Sequence, residues 1–206
     1  MPLTIAEGKT AVALARETLE AHVRRVPPPS RPPDSGVFSE KHGVFVTVNT
    51  ELEGTKALRG CIGYPEAVKP LGRAIRDVAV FASEDPRFPS PIAAEELDHI
   101  VIEVSVLTAP RDISAPARKD LPSKIKLGVD GLIVSNRYAS GLLLPQVATE
   151  QGWDREAFLS EACAKAGLPM DAWLREGTRV QVFQAEIFAE TSPGGTAERV
   201  EQATRR

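Results

Sequence analysis

A chain of 206 residues, 42% hydrophobic and 26% charged, has ordinary globular composition and room for one sizeable domain or one domain built as two lobes. Its net charge of −3, with no block of lysine and arginine, gives sequence-independent phosphate binding no footprint and argues against a nucleic-acid partner. No apolar run approaches the ~20 residues of a membrane helix, and MPLTIAEGK lacks the basic and apolar regions of a signal peptide, so a cytoplasmic protein with no membrane partner is expected.

The first predicted element is a helix. Thr4 and Glu7 have capping-box spacing, and Ile5, Val12, Ala15 and Leu19 recur at helical intervals up to about His22. A proline-rich connector, residues 27–36, follows. HGVFVTVNT then alternates as a strand, and the polar ELEGTKA links it, by a connection longer than the tightest hairpin turn, to a second strand within ALRGCIGY. A strict period of two would put Leu58, Gly60, Ile62 and Tyr64 on one face and Arg59, Cys61 and Gly63 on the other. Pro70 suits the first turn of a helix running to Ser83, with Leu71, Ala74, Ile75, Val78 and Ala82 on its apolar face and Arg73, Arg76 and Asp77 elsewhere on its surface. Three prolines in SEDPRFPSP end it.

HIVIEVSVL reads as a strand with Ile100, Ile102, Val104 and Val106 on one face and Val101, Glu103, Ser105 and Leu107 on the other, and a long polar connection follows. GLIVSNRYASGLLLP has the form of a hairpin around Asn136 to Ser140. The next helix is capped by Asp154, stapled by Trp153 and Phe158 and stopped by Gly167 and Pro169; its apolar stripe includes Cys163. RVQVFQAEIFAE is expected as one last strand, and residues 191–206 as a mobile tail. The interleaving of helices with hairpin-linked strands predicts an α+β fold of largely antiparallel sheet.

Chemistry concentrates in the second strand. Cys163 on a helix stripe behaves as a small buried hydrophobe, and the two cysteines form neither a disulfide framework nor a zinc-ligand pattern. Cys61 differs, because its predicted face carries Arg59, and an arginine is almost never fully buried without a partner. Gly60 and Gly63 in a strand interior mark a bulge or a place where a ligand or another backbone comes close. Glu84 and Asp85 fall at a helix C-terminus, where negative charge is unfavourable, so a cationic neighbour is expected, either Arg87 or Arg59. Together Arg59, Gly60, Cys61, Gly63, Asp85 and Arg87 predict one pocket in which Arg59 grips an anionic group and Cys61 is the reactive or shape-setting centre. A structural ion pair shaping the proline-rich loop is the alternative. His22, His42 and His99 lack metal-ligand spacing, and there is no P-loop, dinucleotide fingerprint or hydrolase elbow, so neither a metal nor a cofactor is expected.

HGVFVTV, LRGCIGY, EDPRFPS, IEVSVL, GVDGLIVS, LLLPQVATEQGWDREAFL and KAGLP resemble, in order and spacing, the AMMECR-domain family, whose bacterial and archaeal members are also called AmmeMemoRadiSam system protein A. The match runs from about Gly43 to Glu190. The resemblance implies a single AMMECR-type domain over residues 1–190, an α+β fold of two lobes with the LRGCIG signature near the cleft between them, and Memo-like and radical SAM proteins as partners. It supplies no activity. Tyr64 and Pro65 depart from the small polar residue that often follows the signature, which would narrow a pocket or add core. Two functions stay open: an enzyme or enzyme subunit acting on a small anionic molecule, and a non-catalytic adaptor that presents the same cleft to a protein or peptide.

Overall fold

The computed structural model describes residues 3–28, 33–52 and 54–200; the middle of the proline-rich connector lies outside them. The chain forms two compact units, one built from residues up to Leu107 together with the segment from Glu186, the other from Thr108 to Ala185.

The first unit begins with α1 (Ile5–Val23), whose capping box is present: Thr4 accepts from the Glu7 N–H, and the Glu7 carboxylate accepts from the Thr4 N–H. Val12, Ala15 and Leu19 are buried, but Ile5, expected on the same apolar stripe, is exposed. β1 (Val44–Leu52) and β2 (Thr55–Tyr64) form an antiparallel hairpin. Leu52 pairs with Thr55, so two residues link the strands rather than the longer connection expected, and Gly54 supplies the positive φ of 77° that a tight turn requires. α2 (Leu71–Ser83) buries Leu71, Ala74, Ile75, Val78 and Ala82. Each of its larger aliphatic side chains contributes about 1.5–3 kcal/mol relative to exposure.

β3 (Ile100–Leu107) pairs with the other side of β1. The expected single strand RVQVFQAEIFAE is instead two, β7 (Arg179–Phe183) and β8 (Ala185–Glu190), in separate sheets. The break falls at Gln184, whose backbone N–H and C=O are taken by the Thr108 hydroxyl and the Thr108 N–H. Beyond β8 the predicted tail turns back: Thr191 N–H bonds to Thr196 C=O, and β9 (Ala197–Arg199) pairs with β8 and buries Ala197. Among the described residues the first unit's sheet therefore has the order β2-β1-β3-β8-β9. The alternating Val44, Val46, Val48, Ile102 and Val104 face the core that α1 and α2 complete.

In the second unit, β4 (Arg111–Asp112), β7, β5 (Gly131–Ser135) and β6 (Ser140–Leu143) make a sheet of order β4-β7-β5-β6, with α3 (Pro145–Glu150) and α4 (Arg155–Lys165). The hairpin around Asn136 is present, its side chain accepting from the N–H groups of Tyr138 and Ala139. Asp154 caps α4 by accepting from Ala157 N–H, and Gly167 ends it at φ 72°. Both sheets are antiparallel throughout their described pairings, and the fold is α+β.

Candidate functional site

The signature lies on β2, an edge strand, and is reorganised by a β-bulge. Val48 pairs with Gly60 but Asn49 with Leu58, leaving Arg59 as the extra residue. The inserted residue reverses the alternation, so Cys61 shares its face with Leu58 and Lys56, not with Arg59 as strict period-two counting predicts. Arg59 turns instead to the loop after α2. Its guanidinium grips both Glu96 oxygens at 2.7 and 3.0 Å and donates to the Ser90 and Pro91 carbonyls. It also lies 5.6 Å from the Phe88 ring centre. The two-pronged grip foreseen for a ligand is occupied by Glu96, whose carboxyl is held below its ordinary pKa chiefly by those hydrogen bonds.

Both misplaced acids at the end of α2 find partners. Glu84 reaches His22 at 2.8 Å. The Asp85 side chain is fully buried, accepting from the Cys61 N–H at 2.9 Å, the Arg87 N–H at 3.1 Å and the Arg87 guanidinium. Those Arg87 hydrogen bonds outweigh the burial and hold Asp85 far below the usual carboxylate range. Arg87 also donates to the Cys61 carbonyl at 2.8 Å. The EDPR loop thus fixes both backbone groups of Cys61, while the Arg87 side chain stays 57% exposed.

The two glycines serve the chain itself. A Cβ on Gly60 would meet the Ala82 carbonyl oxygen at 2.1 Å, where the end of α2 abuts the strand. One on Gly63 would strike the Phe45 ring at 2.3 Å. The close approach predicted at both positions is real, but helix and ring make it. Tyr64 packs against the core, and its hydroxyl accepts from Lys69 at 3.3 Å.

Strand register places one residue near Cys61 that the sequence reading passed over. Thr47 stands opposite Cys61 on one side and opposite Glu103 on the other, so the three form a row across β2, β1 and β3. The Thr47 hydroxyl donates to the Cys61 sulfur at 3.3 Å. Two strand spacings separate the Cys61 and Glu103 backbones by about 10 Å. Among the described residues nothing hydrogen-bonds the Glu103 carboxyl, and burial raises its pKa, opposed only in part by Lys56. The carboxyl of raised pKa and the half-buried thiol lie in one row with Thr47 between them, and carboxyls perturbed in this way recur at functional sites. The available signal was an acid in the middle of an otherwise apolar strand. No histidine of the described residues hydrogen-bonds Cys61: His22 goes to Glu84, and His42 to the Leu107 carbonyl.

Residues 12–188 match the AMMECR1 family. A protein from Methanothermobacter thermautotrophicus is 52% identical over 92% of this chain and 97% of its own. Protein PF1979 of Pyrococcus furiosus is 50% identical over 93% of this chain and 92% of its own. The crystal structure of the uncharacterized protein PH0010 from Pyrococcus horikoshii superposes with a TM-score of 0.82 at 46% identity, covering 96% of this chain and 98% of that one. With the family matched across both units and the relatives aligned nearly end to end, this chain belongs to the AMMECR1 family.

Proposed function

We propose that this protein is an enzyme or enzyme subunit working on a small anionic molecule at the row of Cys61, Thr47 and Glu103. The observation that carries this reading is Glu103, a half-buried carboxyl without a hydrogen-bond partner among the described residues, aligned by register with the thiol. In this reading the Cys61 sulfur adds to a carbonyl carbon as the C=O π pair moves to the oxygen, Glu103 takes up the proton that the thiol gives up and returns it to that oxygen, and the exposed guanidinium of Arg87 receives the substrate's anionic group. Asp85 is a positioning residue, since it acts through Arg87 and the Cys61 backbone. The family resemblance adds Memo-like and radical SAM proteins as the proposed partners.

Alkylation of Cys61 by iodoacetamide between pH 5 and 9, followed by mass spectrometry, tests the coupling. Glu103→Gln should react more slowly than the native protein, because an amide cannot take the proton, and the difference should shrink as falling pH protonates the native carboxyl. Superimposable profiles would remove Glu103 from the site. A second reading is favoured by the internal satisfaction of Arg59 and Asp85: the signature shapes a surface that an adaptor offers to a protein or peptide. Binding of a Memo-like partner that survives both Cys61→Ser and Glu103→Gln would support the adaptor.

A further inference from the structure

A groove of about 610 Å³ between α1 and α2 is lined by Thr18, Lys69, Pro70, Arg73, Arg76, Asp77 and Val80. All these residues belong to the first unit, and none belongs to the Cys61 row. The groove's charges are three cations and one carboxylate, and their pairing is uneven. Lys69 is satisfied by Asp77 and the Tyr64 hydroxyl. Arg73 and Arg76 have neither a hydrogen bond nor an ion pair among the described residues.

Their position makes the missing partner conspicuous. Arg73 lies in the first turn of α2, where the helix dipole disfavours positive charge, and Arg76 follows three residues on. Pro70 at the N-cap offers no side-chain hydrogen bond there. A second, independent observation points the same way. Thr18 lines this groove from α1 and is only 5% exposed, yet its hydroxyl has no hydrogen-bond partner. A buried hydroxyl without a partner ordinarily costs stability.

We infer that this groove is a binding site for a small soluble molecule carrying a phosphate group. Residues three apart on a helix have side-chain roots about 5–6 Å from each other, so Arg73 and Arg76 can bridge one tetrahedral dianion. Guanidinium forks suit phosphate oxygens better than any other side chain does. The Thr18 hydroxyl then gains an acceptor by rotating toward the ligand, and Lys69, held by Asp77, forms a rim. The volume lies in the range of small-molecule sites, and a chain of net charge −3 lacks the basic excess of a nucleic-acid-binding surface.

Titration calorimetry with glycerol 3-phosphate at constant ionic strength is the test. Binding to the native protein should be weakened about tenfold by Arg73→Gln or by Arg76→Gln, since a charge-assisted hydrogen bond commonly carries at least that factor. Arg179→Gln, in the second unit and outside both sites, should bind as the native protein does. Retained affinity in both groove variants, or an equal loss in Arg179→Gln, would overturn the site. Cosedimentation with phosphatidic acid vesicles separates the sources of the phosphate: a protein that binds those vesicles but not glycerol 3-phosphate would overturn the assignment to a soluble ligand.

Discussion

Two arginine–carboxylate pairs in the first unit use the same chemistry to different ends. Arg16 and Glu190 are both interior, with side chains 10% and 3% exposed. Every oxygen and nitrogen that matters has a partner: Arg16 also donates to the Leu97 and Ile100 carbonyls, and Glu190 also accepts from Ile102 N–H. The pair fastens α1 to β3 and β8 and has nothing left to offer. Asp85 and Arg87 are one-sided, the carboxylate interior and the guanidinium largely in water. A fully enclosed pair is an internal fastener, whereas a half-enclosed one holds a charged group in place and leaves part of it available.

That contrast orders three substitutions. Glu190→Gln should have the largest effect, because an amide cannot accept from both the Arg16 fork and Ile102 N–H, and an uncompensated buried guanidinium costs about 3–5 kcal/mol. Urea unfolding would measure it; a midpoint within error of the native one would mean that solvent reaches the pair. Asp85→Asn should cost about 1–3 kcal/mol at neutral pH, discounted because water already screens Arg87.

Asp85 also sets a pH signature. Its folded pKa lies below the unfolded one, so its contribution is complete above the ordinary aspartate value of about 4 and is lost as pH falls below it. The stability gap between native protein and Asp85→Asn should therefore close on acidification from pH 5 to pH 2. A constant gap would assign the effect to shape alone. Arg87→Lys should be the mildest, within about 1 kcal/mol, since a cation remains beside Asp85 and only the fork is lost. A loss equal to that of Asp85→Asn would show that the exposed arginine is as structural as Arg16.

Much of this architecture was legible because period and punctuation agree. Val44, Val46 and Val48 alternate, α2 repeats its apolar face, and Asp154 and Gly167 bracket α4, so the local preferences and the packed result coincide. The bulge at Arg59 was legible only as one meaning of the strand's glycines, because hydrophobicity does not mark which residue is the extra one. That single insertion moved Arg59 away from Cys61 and brought Leu58 and Lys56 to its face. The pairing of Asp85 with Arg87 could be read from their adjacency in sequence. The alignment of Thr47 with Cys61 and Glu103 depends on the register of three strands, and a list of residues does not contain it. The split of RVQVFQAEIFAE was hidden for the same reason, because Thr108, which takes the Gln184 backbone groups, is distant in sequence.

The loop that clasps Cys61 has a consequence for how copies of this chain behave in concentrated solution. An outermost strand ordinarily leaves a row of open donors and acceptors on which a second molecule can continue the sheet. Here one such donor, the Cys61 N–H, is closed by a carboxylate, and the matching acceptor by a guanidinium. An incoming strand would have to displace a buried carboxylate and its arginine partner before forming its first two hydrogen bonds. The same four-residue turn that holds the thiol in position therefore also interrupts strand-to-strand self-association at the centre of the outer strand.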